Sequence, residues 1–271
     1  MTSQVFRALF LFATLCIASA IPPPVKPSDG NEPHKVAPTN IIICIDTSGS
    51  MAGLIGNAIK NFNTEILDSQ KKLFSNAVDI NGNVPPEDLA LMTLIRFSGQ
   101  EDIRVVFQDM RIQDVKNLDP SEWQAEGSTA LRDTIIFADR LELKNKDRKT
   151  LIFYITDGDD TSSSTDSLAT VREIFKKYES SQENMTNATV AYFIGSNQDA
   201  VQNGADMGIN GSTALTFEDG SMEYVMAGIS DIIEMSVDAA SFESVAGVTD
   251  EMRWNAMHGE EQTDAGQSDE M

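Results

Sequence analysis

The chain has 271 residues, enough to bury one substantial core and still carry a tail. It is strongly acidic, with 42 Asp+Glu against 20 Lys+Arg and a formal charge of −22. No basic cluster is available to neutralise phosphates or to meet an anionic membrane, which argues against nucleic-acid and lipid-surface binding. A hard divalent cation is the natural small partner of such a surface, although most of these acids serve only solubility.

The N-terminus reads as a secretory signal over residues 1–20. Arg7 supplies the positive charge, Ala8 to Ile17 the apolar run, and Ala18-Ser19-Ala20 the small-residue cleavage site. That run is shorter than the about 20 residues a spanning helix needs. The expected product is secreted. Cleavage removes Cys16 and leaves Cys44 alone, so no intrachain disulfide is expected and stability must come from the core. Residues 21–37 follow as a Pro-rich lead-in, expected to be extended and exposed.

Ile41-Ile42-Ile43-Cys44-Ile45 then forms an unbroken apolar run, the pattern of a strand buried on both faces at the centre of a parallel sheet. Cys44 is read there as a small buried hydrophobe. The strand breaks into Asp46-Thr47-Ser48-Gly49-Ser50, where Gly49 permits a tight turn. Apolar residues recur at helical spacing from Leu54 to Phe74, and Asn81-Gly82-Asn83-Val84-Pro85-Pro86 closes that unit as a loop. Leu89–Phe97 reads as a second strand. Ile103–Phe107 is a third, short and partly charged, placed antiparallel at an edge.

Residues 111–128 read as turns, and Thr129–Leu143 as a helix. Thr150–Thr156 is a fourth strand, leading into Asp157-Gly158-Asp159-Asp160, and a helix is expected over 166–180. Thr189–Ile194 and Thr213–Phe217 are strands five and six, with a helix over Gln198–Met207 between them and a last one over Ser221–Ala240. This alternation predicts an α/β fold: a doubly wound, mostly parallel six-stranded sheet with one antiparallel edge strand. The domain is expected to span residues 38–240. Residues 241–271 are expected to be an acidic tail whose end is disordered by composition, with Phe242 and Trp254 packing back on the domain.

Three polar clusters fall at strand carboxyl ends or in adjoining loops: Asp46, Ser48 and Ser50; Gly127-Ser128-Thr129; and Asp157. Open α/β sheets place ligands at those ends. Two carboxylates and three hydroxyls suit Mg²⁺, which prefers near-octahedral oxygen ligation and keeps several waters. Asp159 and Asp160 are read as solvated loop acids.

The Asp-x-Ser-x-Ser motif at Asp46, Ser48 and Ser50, with Thr129 in Gly-Ser-Thr-Ala-Leu and Asp157 in Ile-Thr-Asp-Gly, resembles the von Willebrand factor type A (vWA) domain. In that family this pattern is the metal-ion-dependent adhesion site (MIDAS). The resemblance implies that Ser48, Ser50 and Thr129 ligate the ion directly, while Asp46 and Asp157 act through waters or as hydrogen-bond acceptors behind them. It also implies Mg²⁺, with Mn²⁺ or Ca²⁺ as substitutes, and a protein partner whose Glu or Asp completes the octahedron. The expected function is that of a secreted, non-enzymatic binding or adhesion module. The alternative is a structural component of an extracellular matrix or coat whose metal only stabilises the fold.

Competing chemistries lack residues. Gly-x-Ser-x-Gly, a P-loop and Gly-x-Gly-x-x-Gly are absent. His34 and His258 stand in the lead-in and the tail, so a Ser-His-Asp hydrolase has no base. EF-hand loops beginning at Asp46 or Asp157 would place Asn57 or Leu168 where Glu is needed. Asn184, Asn187 and Asn210 match the N-glycosylation pattern, the first two in an exposed loop and Asn210 against a strand, where it is expected to be less accessible.

Overall fold

The computed structural model describes residues 33–141, 143, 146–164, 167–196, 200–238 and 244–259. The expected signal segment, most of the lead-in, Phe242 and the end of the acidic tail lie outside the described residues. Among those described, no helix is long and apolar enough to cross a membrane.

The chain enters through a short strand β1 (His34–Val36) and passes into β2 (Thr39–Asp46), all eight of whose residues are buried. A helical rod follows in three parts, α1 (Ile55–Asn61), a π-helical segment (Phe62–Asp68) and α2 (Ser69–Ser75). After β3 (Ala77–Asp79), strands β4 (Ala90–Phe97) and β5 (Ile103–Arg111) precede α3 (Leu131–Arg140). The remainder alternates: β6 (Lys149–Thr156), α4 (Ser167–Ser181), β7 (Thr189–Ser196), α5 (Ala200–Met207), β8 (Ala214–Phe217), α6 (Met222–Val237) and α7 (Asp250–His258).

The main sheet has six strands in the order β5-β4-β2-β6-β7-β8, parallel throughout except for the antiparallel β4–β5 edge pair. The chain winds outward from β2 through β4 to β5, then returns to β6 and winds the other way. Its direction therefore reverses between β2 and β6. Such a reversal opens a crevice at the strand carboxyl ends, where ligands of doubly wound sheets bind.

Strand periodicity divides the core. Ile41, Ile43 and Ile45 face one layer, packed with Phe62, Ile66 and the α6 residues Val225 and Ile229. Ile42 and Cys44 face the other, with Ile135 of α3 and Val171 and Phe175 of α4. Each fully buried Ile contributes roughly 1.5–3 kcal/mol relative to exposure, so β2 is held by both layers at once. Cys44 is wholly buried as expected, and burial pushes its thiol well above the usual range.

Several local expectations need correction. The lead-in does not stay exposed up to residue 37: the extended β1 pairs in parallel with β3, and Val36 is buried. Three-residue strands carry no periodicity, so this pairing had no signature. The segment 241–271 was expected to be an acidic tail, yet it contains α7. Thr249 caps α7 by accepting from the Met252 amide at 3.1 Å, and Asp250 and Glu251 sit in the first turn. Trp254 does not pack back on the domain. It is 44% exposed and stacks on His258, while Ala256 and Arg253 make the docking contacts. Asn184 and Asn187 are exposed as expected; Asn210 is exposed as well, its side-chain oxygen accepting from the Ser212 amide.

Candidate metal centre

Asp46 ends β2 at the point of reversal and is fully buried. Its Oδ1 accepts from the Ser48 amide at 2.7 Å, and its Oδ2 from Thr156 Oγ1 of the neighbouring β6 at 2.5 Å. Burial pushes this carboxyl up to about 6, against hydrogen bonds from Thr156 and Ser48 that lower it, with the Asp157 charge adding to the rise. Among the described residues, the donors to this buried carboxyl are an amide and hydroxyls rather than a basic side chain.

From Asp46 the backbone turns outward. Thr47 anchors the turn to β4, its amide and hydroxyl both donating to the Phe97 carbonyl. Ser48 is buried and Ser50 exposed, with their hydroxyl oxygens 3.1 Å apart. Ser50 Oγ donates to Asp157 Oδ1 at 2.7 Å. These bonds make a continuous chain of oxygens, Ser48–Ser50–Asp157, across the reversal point. Burial raises the half-exposed Asp157 carboxyl, and Asp219 adds a smaller repulsion.

Thr129 comes from the loop that lies over the first turn. The Gly49 amide donates to the Gly127 carbonyl at 3.0 Å and the Glu126 amide to the Thr47 carbonyl at 2.9 Å, locking the loops together. Gly127 adopts φ +80°, a conformation that favours glycine. Thr129 is buried, its amide donating to Thr161 Oγ1 and its carbonyl accepting from the Thr161 and Ser162 amides. Gly158 sits between the two sides: a Cβ there would lie 3.3 Å from Ser50 Oγ and 3.5 Å from Thr129 Oγ1. The structure therefore brings all five expected positions to one rim.

Two further observations sharpen the chemistry. Among the described residues no three His, Cys, Asp or Glu side chains group as a metal cluster, so a cation here must draw on hydroxyls. The two histidines are engaged elsewhere, His34 Nε2 at 3.4 Å from Asp238 and His258 Nδ1 at 3.0 Å from the Trp254 carbonyl.

Asp160 is not a solvated loop acid. Its Oδ2 accepts from the Arg132 amide and Nε, and its Oδ1 from the Ser163 amide. Burial would raise its carboxyl, yet the bonds from Ser163 and Arg132 together hold it below the usual range. It ties the Asp157 loop to the start of α3, while Asp159 is exposed as expected. The motif reading missed Thr156 and Thr161, which hold Asp46 and Thr129. Thr156 had a signal in its place directly before Asp157; Thr161 had none.

The fold and the rim define an open, doubly wound α/β domain with a cluster of side-chain oxygens at its point of reversal. No family model and no curated protein matches the chain. Among solved structures it is similar to proximal thread matrix protein 1 from the mussel byssus, at 14% identity and TM-score 0.48, over 73% of this chain and 49% of that one. It is similar to a von Willebrand factor type A protein from Catenulispora acidiphila at 17% identity and TM-score 0.48, over 72% and 42% of the two chains. A further structure of the mussel protein, described as having a zinc-occupied MIDAS motif, aligns at 13% identity and TM-score 0.46, over 73% and 48%. This chain thus spans about half or less of the length of those relatives.

Proposed function

We propose that Asp46, Ser48, Ser50, Thr129 and Asp157 hold a divalent cation, Mg²⁺ first, and that the chain is a secreted vWA-type binding module. The observation that carries this reading is the hydrogen-bonded run of oxygens Ser48–Ser50–Asp157 beside the buried anion Asp46. The donor set fits the ion: it is all oxygen, with two carboxylates and three neutral hydroxyls. So few charges leave a bound ion electrophilic, and it then supplies a Lewis-acidic contact for a carboxylate of a protein partner.

The chain's own residues prepare that contact. Thr156 and the Ser48 amide orient Asp46, the Thr161 hydroxyl and the Gly127 turn fix Thr129, and the Asp160–Arg132 pair steadies the Asp157 loop.

The test is calorimetric titration of EDTA-stripped protein with Mg²⁺, alongside Thr129→Ala. A saturable heat is expected, with a stabilisation of about 2.7 kcal/mol at a hundredfold excess over Kd. Thr129→Ala should lose both while keeping its circular dichroism. No heat and no change in Tm for the wild type would overturn the reading.

A further inference from the structure

The amino ends of the strands carry a second constellation, separated from the rim by the length of β2, roughly 25 Å at the usual rise per residue. Asp79 closes β3 and is 7% exposed. Its Oδ2 accepts from two backbone amides, Asn83 at 2.7 Å and Val84 at 3.1 Å. Gly82, at φ +68°, makes the turn that brings those amides round. The other oxygen, Oδ1, is buried and has no hydrogen-bond partner. A buried carboxylate oxygen left in that state is costly, and native proteins satisfy such atoms with an ion or an ordered water.

Asp79 lines a cavity of about 290 Å³ together with Asn81, Asn83, Asp147 and Arg148. Oxygen-bearing side chains at alternate positions, Asp79-x-Asn81-x-Asn83, are how calcium loops begin. This loop is not an EF-hand. Val84 stands where the invariant glycine would be, and Ala90 where the bidentate Glu would be. A second carboxylate comes instead from Asp147, across the cavity.

Arg148 lines the same cavity and offsets part of its charge, shared among more than one carboxylate. Its Nη1 donates to the Asp88 carbonyl at 2.8 Å. Burial lowers its pKa, and Asp88, Asp109 and Asp79 all oppose that lowering, so several carboxylates surround the one guanidinium. A mixed set of carboxylates and side-chain amide oxygens in an irregular cavity suits Ca²⁺, which tolerates six to eight oxygens in flexible geometry, better than octahedral Mg²⁺.

We propose that Asp79, Asn81 and Asn83, with Asp147 across the cavity, form a Ca²⁺ site independent of the rim. With so few formal charges it belongs to the weak class of calcium sites, with Kd about 10⁻⁴ to 10⁻³ M.

The test is Ca²⁺ titration of the stripped full-length chain in saturating Mg²⁺, for wild type, Asp79→Asn, Asn81→Ala and Thr129→Ala. Asp79→Asn keeps an oxygen for the two amides and replaces the free oxygen by a donor. Asn81 is exposed, so its substitution leaves the fold intact. Wild type and Thr129→Ala should bind Ca²⁺ alike, Asn81→Ala at least about tenfold more weakly, and Asp79→Asn not at all. The proposal fails if the wild type shows no Ca²⁺ heat, or if both loop variants titrate like the wild type. It also fails if Thr129→Ala alone abolishes the heat, which would assign the calcium to the rim. Loss of the Mg²⁺ response with the Ca²⁺ response intact would strike the rim reading and leave this one standing.

Discussion

Thr156 Oγ1 lies 2.5 Å from Asp46 Oδ2, joining the ends of two adjacent strands whose onward connections wind in opposite directions. Asp46 is buried, and this bond is one of two that fix its carboxylate. Thr156→Val keeps the shape and removes the donor. It should cost about 1–3 kcal/mol in urea unfolding, the penalty for stripping a partner from a buried polar group. Mg²⁺ affinity should fall about 10- to 100-fold, as expected when a ligand's orienting partner is lost. Thr156→Ser, which retains the hydroxyl, should restore most of both.

Gly158 separates stability from binding. A methyl there would sit 3.3 Å from Ser50 Oγ and 3.5 Å from Thr129 Oγ1, and Gly158 has no positive φ to forbid it. Gly158→Ala should therefore change the urea midpoint little, within about 0.5 kcal/mol. It should weaken Mg²⁺ binding by displacing the Ser50 hydroxyl, measured by calorimetry on the folded variant.

Lys149 supplies the pH dependence. It is buried at the start of β6, and its Nζ donates to the Ser236 and Ser244 carbonyls at 3.2 Å each. Burial lowers its pKa from 10.5 to about 8. Between those values the unfolded chain holds a proton that the folded chain has released, so this residue's contribution to stability rises with pH across the window. Lys149→Met removes the effect. Wild-type stability minus variant stability should increase between pH 7.5 and 10 in urea unfolding, and a flat difference would remove Lys149 from the account.

Arg253 holds α7. Its Nη1 donates to the Ala214 carbonyl at 2.7 Å and its Nη2 to the Gly211 carbonyl at 2.8 Å, clasping the entry to β8. Arg253→Ala should cost about 1.5–3 kcal/mol, the usual scale for hydrogen bonds to a charged group. Amide exchange should quicken first in 250–258 while β2 and β6 stay protected.

These predictions draw unequally on what the sequence alone displays. The unbroken run Ile41–Ile45 announces a strand buried on both faces, and a doubly wound, mostly parallel sheet follows from alternating strands and helices, while the order of its strands is given only by the structure. The five rim positions are legible because each sits in a short local pattern. Thr156 is harder to see, since its role depends on a partner 110 residues away that only the finished sheet brings alongside. Asp160 reads as one more acid in an acidic chain until Arg132 is placed beside it. Helix α7 is masked by composition: its capping residues are present, but the acidic segment around it shows little apolar periodicity and reads as a tail. The Asp79 loop shows the reverse case, where an ordinary turn gains meaning once one oxygen proves buried.

The hydrogen bonding of β1 has a mechanical consequence. The Ala37 amide donates to the Val237 carbonyl at 2.7 Å, and Val36 forms an antiparallel bridge with Asp238, so the entry of the domain is fastened to the end of α6. Tension applied between residues 33 and 238 meets this fastening before it meets β2. The first bonds to part lie at the amino end of the sheet, at the pole away from the rim. A molecule pulled in this way would yield first at that fastening, with the rim still assembled.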